Sequence, residues 1–334
     1  MIHLLKRFFS NRTPKSHRNE LRAGPFNHCS SVCAHKDGVL IAWYAGSGEC
    51  QDDQSVYVSF ERQGVSTTPL YIGPKTGNPV LIPQRSDKAV LMWSKFEDSG
   101  PIRSIVDRWK YCSLWMSYVR LSGEKVTLDG HSVQISEPSQ HLLGRCNPIR
   151  VKNGFLMPLY DETHAHGVIF KGDELEYKPH GRLGFNMIQP TLWAFSDRIY
   201  SLSRNFMTRS HFRARQSYSD DGGVTWSDPV PSRLPNNNSS LHAIDWGQHT
   251  LIMWNNTPMP KRRSMTLGFM GAAPYVEDWR INVVDVLDDY GAYPSMCVDR
   301  SNNLHMTYTS SARTIIHHTW NHKHYIQMRG KLHG

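Results

Sequence analysis

Along this chain, short apolar runs alternate with clusters of Gly, Asp, Asn and Ser, and few segments carry a helical period. This pattern predicts strands joined by tight turns. One two-part unit recurs: a short apolar strand, a turn, and a second strand dense in Leu, Ile, Val and aromatics. Its copies are SSVCAHKDGVLIAWYAG from Ser30, PVLIPQRSDKAVLMWSKF from Pro79, PIRVKNGFLMPLYDE from Pro148, PTLWAFSDRIYSLSRN from Pro190, SLHAIDWGQHTLIMWNNT from Ser240 and PSMCVDRSNNLHMTYTS from Pro294. Each turn carries hairpin residues: Asp37-Gly38, Ser86-Asp87, Asn153-Gly154, Ser196-Asp197, Trp246-Gly247 and Asn302-Asn303. Copies recur every roughly 40 to 70 residues, which leaves room for two more strands in each unit. Four strands per unit predict an all-β fold, a six-bladed β-propeller. A β-sandwich would need six similar hairpins by coincidence.

In a propeller the innermost strand of each blade lines a central channel, so the residues opening each copy gather at one mouth. They are Asn27-His28 with Cys29, Asn78, Asn147, Gln189, Asn238-Ser239 and Tyr293, and four are followed directly by Pro. Polar, mostly uncharged groups around one pocket suit a hydroxyl-rich ligand, because each offers directional donors and acceptors. The same residues also suit tight strand entries, where Asn and Pro shape the backbone.

Composition narrows the class. Of 334 residues, 39% are hydrophobic and 20% charged, the balance of a globular chain with a sizeable core rather than a disordered or collagen-like one. No run is long and apolar enough to span a bilayer, and the N-terminal segment lacks a secretory pattern, so synthesis in the cytoplasm is expected. The net charge of +9 lies at the ends: Met1–Arg22 hold six basic residues and one acid, and Ser310–Gly334 hold four basic residues and no acid. The expected organisation is a basic N-terminal arm over 1–22, a propeller over 23–320 and a basic tail over 321–334. The ends read as arms for docking to an assembly, and no nucleic-acid motif accompanies them. Six scattered cysteines without CxxC spacing read as reduced thiols. His164-Ala165-His166 and His322-Lys323-His324 lack a third ligand at a readable spacing, so no metal is expected, and no motif calls for a cofactor.

One motif is specific. Ser219-Asp220-Asp221-Gly222-Gly223-Val224-Thr225-Trp226 matches the Asp box, S-x-D-x-G-x-x-W, with Ser219, Asp221, Gly223 and Trp226 at the defining positions. Together with AWYAGSGECQDD from Ala42, GNPVL from Gly77, NPIRVKNGFLMPLYDE from Asn147, IQPTL from Ile188 and YGAYPS from Tyr290, it makes the chain resemble the sialidase-like BNR-repeat propellers. The resemblance covers roughly Gly24 to Trp320 and implies a six-bladed propeller with a glycan ligand. It makes the Asp box a structural hairpin remote from the active site.

It also implies roles. Tyr293 stands at the family's nucleophilic tyrosine and Asp53 at its acid/base aspartate. Arg204 resembles one arginine that grips the substrate carboxylate, and Arg262, or its neighbour Arg263, resembles another. Asn27-His28 stand where the first such arginine would be, Gly48 replaces a further arginine, and Gln189 stands where a glutamate partners the tyrosine. Glu49, Asp161 or Glu162 could supply the carboxylate that Gln189 lacks, and Asn147 and Asn238 complete the polar ring. A phenol is a poor nucleophile unless a base or cationic field shares its proton. An aspartate acid needs partial desolvation, and arginine's planar fork suits a carboxylate. Two readings result. One is a retaining exo-glycosidase of sialidase type acting on an acidic sugar. The other is a non-catalytic propeller that binds a glycan or protein, such as a surface or virion-associated recognition module.

Overall fold

The computed structural model describes residues 17–84, 88–97, 104–206, 212–246, 249–258, 261–270 and 281–321. The described chain enters through β1 (His17–Leu21) and then builds six sheets in chain order. The first blade is β2 (Phe26–His35), β3 (Gly38–Gly46) and β4 (Ser55–Arg62), with β5 (Val65–Ser66) and β6 (Leu70–Pro74) both paired along β4. The second blade runs β7 (Thr76–Pro83), β8 (Lys88–Phe96), β9 (Cys112–Ser122) and β10 (Lys125–Ser136). In the third, β11 (Leu142–Gly144) and β12 (Ile149–Val151) pair with β13 (Gly154–Asp161), followed by β14 (His166–Asp173) and β15 (Glu176–Phe185). The fourth contains β16 (Ile188–Phe195), β17 (Arg198–Arg204), β18 (Arg213–Ser219) and β19 (Val230–Pro235). The fifth contains β20 (His242–Trp246), β21 (His249–Asn255), β22 (Met265–Met270) and β23 (Ile281–Asp288). The last joins β24 (Gly291–Val298), β25 (Leu304–Ser310) and β26 (Thr314–Trp320) to β1. Every strand pairing among the described residues is antiparallel, and the six-bladed propeller expected from the repeats is the fold.

The ring closes through β1, so His17–Leu21, assigned to the basic arm on charge, form the outer strand of the last blade. Residues 1–16 and 322–334 lie outside the described residues. At the seam, His317 Nδ1 on β26 meets Glu61 Oε1 on β4 at 2.8 Å, with both side chains buried. Asn19 on β1 donates to Glu61 Oε2 at 3.0 Å. The carboxylate thus binds the first blade to both outer strands of the last.

One irregularity repeats at the inner strands. Ladder register slips between His28 and Ser31, Gly77 and Val80, Ile188 and Thr191, and Ala292 and Ser295. At those slips Cys29, Asn78, Gln189 and Tyr293 have left-handed φ values of 57°, 50° or nearby, as does Asn238 just before β20. A bulge kinks the strand and re-aims one side chain, so four openings turn a buried residue at the same structural position, and Asn238 takes a left-handed φ just ahead of β20. The third blade departs from this rule. Between the Gly144–Leu159 and Ile149–Leu156 pairs, the four residues Arg145–Pro148 face only two. Asn147 is therefore not equivalent to the four bulge residues, although it also precedes a proline.

The core lies between blades. Trp43, Ile41 and Val39 of β3 pack with Val32 and Ile315, while Trp246, Met253 and Leu267 pack against Met296, Met306 and Tyr308 of the last blade. The Asp box closes the β18–β19 turn. Ser219 Oγ donates to Asp221 Oδ1 at 2.8 Å, Asp221 accepts from the Val224 and Thr225 amides, and Trp226 Nε1 donates to Gly223 O at 3.0 Å. Hydrogen bonds from Thr225 hold the Asp221 carboxyl down at about 2. The turn shares an end with Arg198, paired with Asp220 at 2.6 Å, and lies at the opposite end of β17 from Arg204.

Candidate functional site

Topology decides which candidates can meet. Each inner strand starts at the mouth face, and in an antiparallel blade the connection from the second to the third strand returns there. This second set brings Glu49 and Asp53 after β3, Trp109 after β8, Asp161 at the end of β13 and Glu162 just after it, Arg204 at the end of β17, and Arg262 after β21.

Tyr293 is the centre. Its side chain is buried, and its hydroxyl accepts from Arg204 Nη1 at 3.2 Å and from Arg262 Nη2 at 3.4 Å. The Arg262 guanidinium lies 4.7 Å from the ring centroid and that of Arg145 lies 5.3 Å away. His28 packs on it at 4.4 Å between centroids. Asn238 Oδ1 accepts from Arg204 Nε at 2.7 Å, aiming that fork at the tyrosine. Arg263 instead lies over Tyr290, 5.9 Å from its ring, so Arg262 is the arginine turned to Tyr293.

Burial favours the neutral forms of the flanking groups. Desolvation, then Arg262 and Arg145, hold the His28 imidazole well below its usual value. His28 Nδ1 lies 3.0 Å from the Thr309 hydroxyl. Burial pushes the Cys29 thiol up to about 11, and it donates to Asn78 Oδ1 at 3.3 Å. Desolvation opposes the Arg204 charge, yet Tyr293, Glu162 and Tyr160 hold its pKa above the ordinary value.

Two carboxylates reach this neighbourhood. Glu49 Oε1 accepts from Trp109 Nε1 at 3.2 Å and from Tyr44 OH at 3.5 Å. Trp109 can lie there because Gly77 has no side chain: a Cβ would stand 2.6 Å from the indole. Rings of Tyr44 and His28 then lead to Tyr293. Glu162 is raised above the usual carboxylate range, first by desolvation, against Arg204 and with the like charge of Glu49.

Three expected site residues are engaged elsewhere, and a fourth, Asp53, stands on the exposed rim of the mouth. Asn27 is fully buried, donating to Gly24 O and Arg313 O and accepting from the Ala23 amide and Trp43 Nε1. It fastens the first blade to the last instead of lining the mouth, because the bulge aims Cys29 and not Asn27. Asn147 donates to Val32 O at 3.1 Å and Leu81 O at 2.8 Å, and accepts from Ser295 Oγ, so the long third-blade bulge makes it a tie among inner strands. Asp161 accepts from the Thr163 and His164 amides and pairs with His164 Nδ1 at 2.7 Å, capping its own turn. Asp53 is exposed on the rim, where it accepts from Ser47 N at 2.9 Å and Ser47 Oγ at 2.8 Å. Gln189 stays in the site, donating from Nε2 to Tyr160 OH at 3.2 Å.

Tyr44, Tyr160, Trp109 and Arg145 were not legible as site residues. Arg145 had one signal: it stands two residues before Asn147, in the Asn-Pro that opens the third copy. All six cysteines are free thiols, and among the described residues no three His, Cys, Asp or Glu side chains are placed to hold a metal. Among the described residues no helix is long and apolar enough to cross a membrane.

Comparison with known proteins agrees with the propeller fold. A model of the BNR repeat-like domain matches residues 37–306. No curated protein matches the sequence. Among solved structures, Trypanosoma rangeli sialidase in complex with the inhibitor DANA superposes with a TM-score of 0.68 at 13% identity, covering 92% of this chain and 60% of that one. The Hadza microbial sialidase Hz136 gives 0.69 at 14%, covering 89% and 66%. A protein of unknown function from Dyadobacter fermentans gives 0.69 at 11%, covering 92% and 99%. This chain thus spans about three-fifths of the Trypanosoma sialidase and nearly all of the Dyadobacter protein.

Proposed function

We propose that this chain, which belongs to the family of BNR repeat-like domains, is a retaining exo-glycosidase of sialidase type that removes an acidic sugar from the end of a glycan. The observation that carries the reading is the Tyr293 hydroxyl held between Arg204 and Arg262 at the channel mouth. Two guanidinium forks beside one phenol suit a ligand whose carboxylate sits next to its reacting carbon.

In this reading the Tyr293 oxygen forms a bond to the anomeric carbon as the bond to the leaving-group oxygen breaks. The phenol proton passes to Glu162, whose carboxylate acts on Arg204, the arginine bonded to the Tyr293 hydroxyl. Asp53, oriented by Ser47, protonates the leaving oxygen and then takes a proton from the water that releases the sugar. Arg204 and Arg262 bind the carboxylate, Asn238 holds Arg204, and neutral His28 and Gln189 offer hydrogen bonds to sugar hydroxyls.

The second reading, a propeller that binds glycan without cleaving it, is favoured by the amide at Gln189 and by Asp53 being tied to the rim. A pool of glycans ending in sialic and other acidic sugars, read by mass spectrometry, separates the two. Release of a monosaccharide by the native chain and not by Tyr293→Phe supports the hydrolase. Intact glycans retained by the native chain support the binder.

A further inference from the structure

The third blade contributes a residue that neither the family resemblance nor the proposed chemistry uses. Arg145 lies in the four-residue bulge between β11 and β12 and is 1% exposed. It reaches across the channel to the two inner strands at the seam. Nη1 donates to Ser30 O at 3.1 Å and Nη2 to Pro294 O at 2.8 Å. Those carbonyls belong to the residues directly after Cys29 and Tyr293, the two bulge residues with left-handed φ of 57° and 54°. The same guanidinium stands 5.3 Å from the Tyr293 ring centroid.

Both contacts bear on one side chain. A left-handed φ disfavours tyrosine, so the conformation persists only where its surroundings fix it. The carbonyl after Tyr293 is held by one arm of the fork while the ring rests against the guanidinium face, which controls both backbone and ring. Among the described residues no carboxylate pairs with Arg145, so its charge also acts on the mouth, where it lowers His28.

We propose that Arg145 is a positioning residue for Tyr293: it holds the tyrosine in its bulge with the hydroxyl turned to Arg204 and Arg262. This rests on the glycosidase reading for its kinetic consequence, but not for its structural one.

The test uses the full chain carrying Arg145→Met or Arg145→Lys, each checked for folding by circular dichroism and thermal melting. With a 4-methylumbelliferyl sialoside, Arg145→Met is expected to lower kcat about 100-fold with KM changed less than about threefold, because the carboxylate clamp remains while the nucleophile is misplaced. Arg145→Lys restores part of that loss, since a point cation replaces the charge but not the fork. A raised KM at unchanged kcat would overturn the proposal. In parallel, the chain is labelled with 3-fluorotyrosine, and the Tyr293 fluorine signal is assigned by its loss in Tyr293→Phe. Arg145→Met is expected to move that signal while leaving Tyr200 and Tyr218 of the fourth blade in place. An unmoved Tyr293 signal overturns the proposal whether or not the native chain turns over. Failure of the native chain to hydrolyse the sialoside counts against the glycosidase reading alone, and the fluorine signal then decides Arg145. If Arg145→Met does not fold, Arg145→Lys carries the same two readouts.

Discussion

Arg204 donates through Nη1 to the Tyr293 hydroxyl across 3.2 Å, joining the end of β17 in the fourth blade to the start of β24 in the last. A long-range contact of this kind exists only when the ring is closed, so the site depends on the architecture and not on any one repeat.

Arg204→Lys keeps a positive charge but loses the fork that meets Asn238 and Tyr293 together. The expected result is a fall in kcat/KM for a sialoside of about 100-fold, corresponding to about 3 kcal/mol, with folding retained. Steady-state kinetics beside a thermal melt check this. Native kinetics would remove Arg204 from the site.

Asn238→Ala frees the Arg204 Nε from its 2.7 Å partner without touching Tyr293. One hydrogen bond to a charged group contributes about 1.5–3 kcal/mol, so a loss of roughly tenfold or more in kcat/KM is expected. An Asn238→Asp variant, which restores an acceptor, should recover more activity than Asn238→Ala.

Acid should destabilise the fold through buried imidazoles. His242 accepts from the Met296 amide at 3.0 Å, and burial followed by Arg145 lowers its pKa to about 3. His318 falls to about 4 through burial. For such groups the unfolded chain binds the proton more readily, so stability is lost as pH falls below about 6.5 and continues to fall until the folded value is reached. At pH 5 the His242 contribution alone is on the order of 2 kcal/mol. Tm measured between pH 7.5 and pH 5 should fall, and less steeply in His242→Gln. A flat profile would contradict the assignment.

Glu61→Ala leaves a buried histidine and Asn19 without their shared partner at the seam. Losing a buried hydrogen bond to a charged carboxylate costs about 1.5–3 kcal/mol. Chemical denaturation should show a lower midpoint, and an unchanged midpoint would show that β1 and the seam do not limit stability.

The blades were legible because strand alternation and turn chemistry are local, and so was the Asp box, whose hydrogen bonds close within eight residues from Ser219 to Trp226. Tyr293 was legible as the residue opening the last copy and gained its role by resemblance, whereas Arg204 and Arg262 were legible only by resemblance. Asn27 and Asn147 show the limit. An asparagine before a strand looks the same whether a bulge aims it at the mouth or the backbone takes all its hydrogen bonds, and the longer third bulge changes the count of facing residues, which no local pattern records. Arg145 meets Ser30 and Pro294, far away in sequence, so only the closed ring reveals it, and the sequence left Glu162 as one of three carboxylates it could not place.

The central claim is that Tyr293 attacks the sugar, and covalent trapping tests it most directly. The native chain, Tyr293→Phe and Asp53→Asn are incubated with 2,3-difluorosialic acid, whose fluorines slow breakdown of a glycosyl-enzyme, and intact mass is followed by peptide mapping. A one-to-one adduct on the Tyr293 peptide of the native chain, absent from Tyr293→Phe, is the predicted result. A native chain that binds the sugar but gains no mass, or an adduct on another residue, would contradict it.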